Sequence, residues 1–319
     1  MIYGSSPAAL TAAIEAQRHG KSAVIVCPET RIGGLTTGGL GQTDIGNKDA
    51  FGGLALQFYR DVADWYRSEA NWKYEKREDY MPDGQCADSV AKDSMWTFEP
   101  SAALAILERW ERQNRLKIFR GEFLDRNSGI VKDCARISAI KTLSGKVFRG
   151  GMFADGLGQG WQSQLYVREG RRMIGDYVVT EHDVLRKRVT SRPVAMAAYG
   201  MDSHNVRRYV DKKGFVRNEG NIEDWRAGGK PYPIDYGAIL PKKGECENLF
   251  VPVCVSASHM AFGSIRMAPV FFALGQVAGA AAALSINAGC AAQDLEYAKL
   301  RDVLVSEGQV VSSPPHSLR

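Results

Sequence analysis

The chain has 319 residues, 45% hydrophobic and 24% charged, enough to bury a substantial core and, by length, to form two domains. Lys and Arg outnumber Asp and Glu by 41 to 36, a mild net charge of +5 that is scattered apart from Arg171-Arg172 and Arg186-Lys187-Arg188. That pattern reads as a solvated face and not as a nucleic-acid footprint. Six cysteines (Cys27, Cys86, Cys134, Cys246, Cys254 and Cys290) show no CxxC pair and no metal spacing, so they read as reduced, mostly buried thiols and no metal is expected.

In chain order, Ile2-Tyr3 reads as the end of an apolar strand and Gly4 to Ala9 as a turn that opens a helix. Ala9, Ala12, Ala13 and Ala16 give that helix a small-residue face, Gly20 closes it, and Ser22–Val26 is the next buried strand. This is half of a dinucleotide-binding βαβ unit, in which a tight turn seats a pyrophosphate on N–H groups at a helix N-terminus. The G-x-G-x-x-G/A pattern is present as Gly4, Ser6 and Ala9, with Ser as the next smallest residue at the middle place. The acid expected at the end of the second strand is replaced by Cys27, with Glu29 two residues later. An ordinary α/β turn is the alternative reading of the same pattern.

The next segment, Arg31 to Gly41, carries five glycines in eleven residues, which are kept where something must come close to the backbone. A flexible linker is the rival reading, and Ile32, Leu35 and Leu40 argue against it. From Ile32 to Asn47 the chain resembles the FAD-dependent oxidoreductases of the glutathione-reductase-like superfamily, and more narrowly the bacterial group that reads "GGLTTGGLG.TDIGN". The resemblance implies an α/β Rossmann-like FAD-binding domain with a β-meander and a second, substrate lobe.

A helix is expected from about Gly53 to Arg67, with Leu54, Phe58, Val62 and Trp65 on one face and Asp61 and Asp64 facing away. Residues 68–98 are polar and aromatic without periodicity and read as an irregular lobe whose aromatics pack or stack on a ligand. A second helix starts at Glu99-Pro100-Ser101 and runs to about Asn114. Strands follow at Lys117–Phe119, Gly121–Asp125, Arg136–Leu143 and Lys146–Phe153, the last two joined by a turn at Ser144-Gly145. Asp155 matches the first residue of the "DAT" that ends the corresponding strand in the family. The family's "YEGDL" and a long further segment are absent after it, and the chain passes straight to Trp161–Glu169.

Arg168 to Thr180 is expected to be helical, with Tyr166, Met173, Ile174 and Tyr177 buried. Its Arg171 and Arg172 suit an acidic substrate group or ion pairs within the fold. Residues 195–240 read as strands and loops. Leu249–Val255 suits a buried parallel strand. A long apolar helix follows from about Met267 to Ile286 with Pro269 in its first turn; it reads as a helix packed tightly on a sheet, with a membrane span as the rival. The tail from Ser306 is expected to be loosely held. No secretory signal peptide is visible, and because the chain opens in mid-strand its compartment stays open between cytoplasmic, periplasmic and secreted.

No Ser-His-Asp order, HExxH, paired carboxylates or P-loop stands out, which leaves a bound cofactor as the chemical agent. The resemblance assigns an FAD-binding domain to residues 1–70, 100–155 and 245–300, a substrate or cap lobe to 71–99 and 156–244, and a tail to 301–319. Gly4, Ser6, Pro7 and Ala9 would shape the pyrophosphate turn, Cys27, Pro28 and Arg31 would border the adenosine ribose, and Asp155, matching the family's "DAT", is a further cofactor-binding candidate. Gly33, Gly34, Leu35 and Thr36 would run along the pyrophosphate, with Gly39 and Gly41 at the flavin edge. Ser264, Arg266 and Met267 would face the C2 carbonyl end of the flavin, and His204 and His259 are the acid–base candidates. The expected activity is hydride transfer from a small molecule, acidic or sugar-derived, to flavin N5. The alternatives are an FAD-fold protein that binds without turnover and an NAD-linked dehydrogenase.

Overall fold

Short runs of Val, Ile, Phe and Ala without polar alternation belong in strands buried on both faces. The computed structural model describes residues 1–80, 93–157, 171–203, 205, 207–224, 226 and 230–312, and places five such runs in one sheet. The chain opens with β1 (Ile2–Tyr3), α1 (Pro7–Arg18) and β2 (Val24–Val26), then α2 (Gly34–Gly38), α3 (Gly53–Trp65) and α4 (Pro100–Gln113) before β3 (Lys117–Phe119). An antiparallel meander of β4 (Ile130–Asp133), β5 (Arg136–Lys141) and β6 (Val147–Arg149) leads to β7 (Phe153–Asp155). Next come α5 (Glu181–Val184), β8 (Pro193–Ala197), β9 (Met201–Asp202), β10 (Arg207–Val210), β11 (Val216–Glu219), β12 (Glu223–Asp224) and β13 (Tyr232–Asp235). The chain then runs through β14 (Leu249–Phe250), α6 (His259–Ile265), α7 (Ala268–Ala288) and α8 (Tyr297–Ser306).

The sheet order is β3-β2-β1-β7-β14, all parallel, with Ile2 between Ile25 and Ala154. The architecture is α/β and Rossmann-like, with the meander inserted before β7. The remaining strands form separate antiparallel pairs, β8 with β13, β9 with β12 and β10 with β11.

The first and last thirds of the chain are joined by α1 lying on α7. Thr11 Oγ1 donates to the Phe272 carbonyl at 2.9 Å, and the contact is close because both helices offer small residues. A Cβ at Gly275 would lie 2.3 Å from the Ala8 carbonyl oxygen, and one at Gly279 2.5 Å from that of Ala12. Among the described residues α7 is the one helix long and apolar enough to cross a membrane, and most of it is buried against α1, α3 and β8. Phe58 of α3 stacks on Phe272 at 4.7 Å, and Trp96 stacks on Tyr59 at 3.8 Å.

Several elements differ from the sequence expectation. Gly33–Gly41 is not all loop: Gly33 and Gly34 take φ of +94° and +55°, and Thr37 Oγ1 turns back to the Ile32 carbonyl, closing α2. Gly121–Asp125 makes a single bridge at Leu124 in place of a strand, and the Gly150-Gly151 pair splits the expected 146–153 strand into β6 and β7. Asp61 does not face away but is buried, because Trp110 Nε1 donates to it at 2.6 Å and Arg109 lies 2.8 Å from it. The described part of the expected 168–180 helix is irregular backbone. There Met173, Tyr177 and Val179 donate their N–H groups to Cys254, Gly237 and Ser256, and Ile174 is exposed. Residues 158–170, including Tyr166, lie outside the described residues. Only Leu249-Phe250 of the 249–255 run pairs as strand. Past Ser306 the tail is held at first, since Gly53 N–H donates to the Gly308 carbonyl at 2.9 Å and Val311 is buried. Cys27 and Cys246 are buried thiols, whereas Cys134 is exposed; Cys86 lies outside the described residues.

The helix contact predicts that Gly275→Ala destabilises the protein by on the order of 1–3 kcal/mol through overpacking. Denaturant titration measures it, and an unchanged midpoint would show that α1 and α7 have room to spare.

Candidate functional site

The C-terminal ends of parallel strands are where an α/β sheet leaves a crevice, and here β1, β2 and β7 end together. At the end of β1, Gly4 has φ of +118°, and a Cβ there would lie 2.2 Å from the Gly156 carbonyl carbon. Its glycine is therefore required by the chain leaving β7. Ser6 N–H donates to the Gly156 carbonyl at 3.2 Å, and Ser6 Oγ caps α1 by accepting from Ala9 N–H at 3.4 Å. Pro7 stands at the first helical position, where a missing N–H costs nothing.

The start of α2 lies directly against this turn. Gly33 N–H donates to the Ser5 carbonyl at 2.6 Å, and a Cβ at Gly34 would lie 3.7 Å from Ser6 Cα and 3.8 Å from Pro7 Cδ. Two helix starts thus adjoin, and the first-turn N–H groups of a helix have no partner within it. A Cβ at Gly33 would lie 2.3 Å from Thr37 Cγ2, and one at Gly41 1.9 Å from the Phe98 carbonyl oxygen, so these two glycines serve chain packing. Gly39 (φ +147°) has open space where its side chain would be. Leu35 is half-buried and Thr36 buried. Open space beside the backbone therefore lies at Gly39, while Gly34 fits at ordinary contact distance against Ser6 and Pro7.

The acid nearest the end of β2 is Glu29. Ser5 Oγ donates to Glu29 Oε2 at 3.0 Å. Cys27 is fully buried and its thiol donates to the Glu29 carbonyl at 3.4 Å; burial, with Glu29 adding to it, pushes that thiol up to about 12. Cys27 therefore faces inward as a neutral thiol, and the residue two places on supplies the charge. Neither Glu29 nor Ser5 is a candidate in the sequence reading; the signal for Glu29 was its place two residues after Cys27. Pro28 is half-buried and Arg31 exposed on the same loop. Asp155 ends β7, with its Oδ1 accepting from Leu157 N–H at 3.1 Å, and burial pushes its carboxyl up to about 6.

The second predicted cluster lies at α6 and the start of α7, and its polar groups are engaged within the fold. Ser264 Oγ donates to the Tyr199 carbonyl at 2.6 Å and accepts from Tyr232 OH at 2.7 Å. Arg266 is buried with Asp202, Nη2 to Oδ2 at 3.1 Å, and the neighbouring glycine leaves no room for a side chain, since a Cβ at Gly263 would lie 2.5 Å from the Asp202 carbonyl. Met267 is buried and caps α7. His259 starts α6, and Arg172 Nη1 donates to its Nδ1 at 3.4 Å; burial lowers the Arg172 guanidinium. His204 lies outside the described residues.

A cavity of about 440 Å³ opens beside Gly41, between the end of α3 and the start of α4. Tyr66, Trp72, Tyr80 and Phe98 supply its aromatic wall, and Glu75 and Glu99 its carboxylates. Glu99 is fixed by Tyr66, whose hydroxyl donates to Glu99 Oε2 at 3.0 Å.

Fold and turn together define an α/β nucleotide-binding protein of the Rossmann kind. The sequence model of the family described as FAD dependent oxidoreductase matches residues 1–161 and 157–304, nearly the whole chain in two segments that meet where the sequence resemblance breaks. The protein belongs to that family, whose cofactor is FAD. No curated protein matches the sequence significantly. Among solved structures it is similar to a flavin monooxygenase from Stenotrophomonas maltophilia at 14% identity, covering 48% of this chain and 36% of that one with a TM-score of 0.30. It is also similar to a bacillithiol disulfide reductase from Staphylococcus aureus (15% identity, 49% and 37% covered, TM-score 0.29). A steroid monooxygenase bound to NADP gives 14% identity, 56% and 29% covered, and a TM-score of 0.30. The chain spans about a third of the length of these proteins.

Asp155 supplies a pH test. Its folded-state value of about 6 stands above the ordinary 3.8, so ionising it costs stability: the cost is absent below about pH 4, grows up to pH 6 and is complete above it. The melting temperature of Asp155→Asn relative to the wild type should therefore rise across that window. A constant difference between pH 4 and 8 would show that the Asp155 carboxyl is not desolvated.

Proposed function

We propose that this chain is a flavin oxidoreductase that binds FAD across the adjoining starts of α1 and α2. The observation that carries the reading is that Gly34 packs at van der Waals distance on Ser6 and Pro7, so that two helix starts adjoin, with the Glu29 carboxylate held by Ser5 beside them. This set fits a dinucleotide: N–H groups and α1's positive end for the pyrophosphate, and a carboxylate for a ribose hydroxyl. When bound, FAD would accept a hydride from a C–H bond of a small, acidic or sugar-derived substrate.

The chain's own residues divide the remaining work. Ser5 orients Glu29 toward the ribose. Gly34, Leu35 and Thr36 line the pyrophosphate, and Gly39 leaves the backbone open at the flavin edge. The cavity next to Gly41 receives the substrate, with Trp72 and Tyr80 as stacking surfaces and Glu99 as an acceptor for hydroxyl groups. Arg266, paired with Asp202 at the start of α7, would hold that helix end and its guanidinium near the flavin. His259, at the start of α6 with Arg172 Nη1 donating to its Nδ1, is the acid–base candidate. The domain division into residues 1–70, 100–155 and 245–300, with the cap between, follows from the same reading. So does membership of the glutathione-reductase-like group.

A second reading, binding without turnover, is favoured by one observation: the polar groups of Ser264 and Arg266, expected at the flavin, are engaged with Tyr199, Tyr232 and Asp202.

Purified protein should bind FAD with a visible flavin spectrum and a higher melting temperature. Glu29→Gln should weaken binding by roughly 10- to 100-fold, as expected for loss of a charge-assisted hydrogen bond worth ~1.5–3 kcal/mol. Absence of both spectrum and thermal shift would end the proposal. Anaerobic bleaching by a panel of sugars and hydroxy acids separates the two readings, because a pure binder stays oxidised.

A further inference from the structure

The far end of α1, remote from the turn, carries a cluster that the flavin reading does not use. Glu15 lies in the last turn of α1, His19 caps that helix and Glu307 caps α8. His19 Nε2 is 3.1 Å from Glu15 Oε1 and 3.1 Å from Glu307 Oε1, and the three atoms lie within 4.8 Å of one another. The outer oxygens are held separately. Arg18 Nη1 lies 3.4 Å from Glu15 Oε2, and Gln276 Nε2 donates to Glu307 Oε2 at 3.3 Å. Gln276 is itself fixed, since its Oε1 accepts from Leu54 N–H at 2.9 Å. Partners on the outer atoms leave the two inner oxygens aimed at the imidazole nitrogen.

Burial, and then the hydrogen bond with Glu307, push the Glu15 carboxyl up to about 9, so an ion entering here displaces a proton held between the two carboxyls and leaves two carboxylate oxygens beside the imidazole nitrogen. A single Nε2–H points at one oxygen and cannot serve both linearly. A divalent cation satisfies all three at once. Zinc bonds of roughly 2.0–2.2 Å to nitrogen and oxygen put tetrahedral ligands about 3.3–3.6 Å apart, a few tenths of an ångström from the spacing seen here. Imidazole in the set favours a first-row transition ion over Ca²⁺ or Mg²⁺. The side chains of His19 and Glu307 are each 21% exposed, so an ion has a route in and a fourth position for water, while Glu15 is fully buried.

We propose that Glu15, His19 and Glu307 bind one Zn²⁺-type ion that fastens the end of α8 to α1. Outer partners such as Arg18 and Gln276 orient the ligands as they do in established metal centres. The role is structural. The twelve residues of α1 separate the ion from the dinucleotide turn by roughly 18 Å at 1.5 Å per residue. It would hold the segment whose Gly308 carbonyl accepts from Gly53 at the start of α3.

The test uses the full chain stripped with a chelator. Calorimetric titration with Zn²⁺ should show one ion per chain, a raised melting temperature, and the absorption bands of a tetrahedral ion when Co²⁺ is substituted. Glu307→Gln and His19→Asn, both at partly exposed positions, should each lower Zn²⁺ affinity by at least about 100-fold, the upper figure for loss of an outer-shell partner. Both should melt close to the metal-free wild type. No stoichiometric binding by the wild type, or binding undiminished in both variants, overturns the proposal.

Discussion

The structure depends on one close contact, α1 lying backbone to backbone on α7. Helices approach this nearly only where small residues line both surfaces, and Ala8, Ala12, Gly275 and Gly279 do so here. The contact joins segments about 260 residues apart, so it has a high loop-closure cost that only extensive burial offsets. Everything near the nucleotide turn follows from it. With α1 held against α7, its N-terminus is aimed at the crevice where β1, β2 and β7 end.

Glycine content alone would have assigned a ligand to every glycine in the two loops. The steric reading separates them. Gly4, Gly33 and Gly41 are small because other parts of the chain press on them, Gly156, Thr37 and Phe98 respectively. Gly34 and Gly39 are small without such pressure. The same distinction applies to polar residues: Ser264 and Arg266 lie near the start of α7, yet their hydrogen bonds hold Tyr199, β9 and β13 to α6.

Local signals carried much of the architecture. The βαβ opening, the helices beginning at Gly53 and Pro100, the meander turn at Ser144-Gly145 and the apolar closing helix were legible because each rests on period, caps or turn chemistry within a few residues. Misreadings occurred where long-range contacts override local preference. The 171–180 stretch has helical composition, but its N–H groups find partners on Gly237, Cys254 and Ser256, so it runs as irregular backbone. Asp61 sits at a polar position of its helix and is buried because Trp110 and Arg109 reach it from α4.

The sequence by itself determined the family and the cofactor class, because the contiguous run Ile32–Asn47 resembles the FAD-dependent oxidoreductases and a contiguous motif needs no tertiary contact to be read. Only the tertiary structure decided that Ser5 holds the Glu29 carboxylate, that Cys27 turns inward, and that Glu15, His19 and Glu307 meet. Those outcomes depend on distances between residues far apart in sequence, or on which way a side chain faces after burial. Neither is encoded in residue type or spacing.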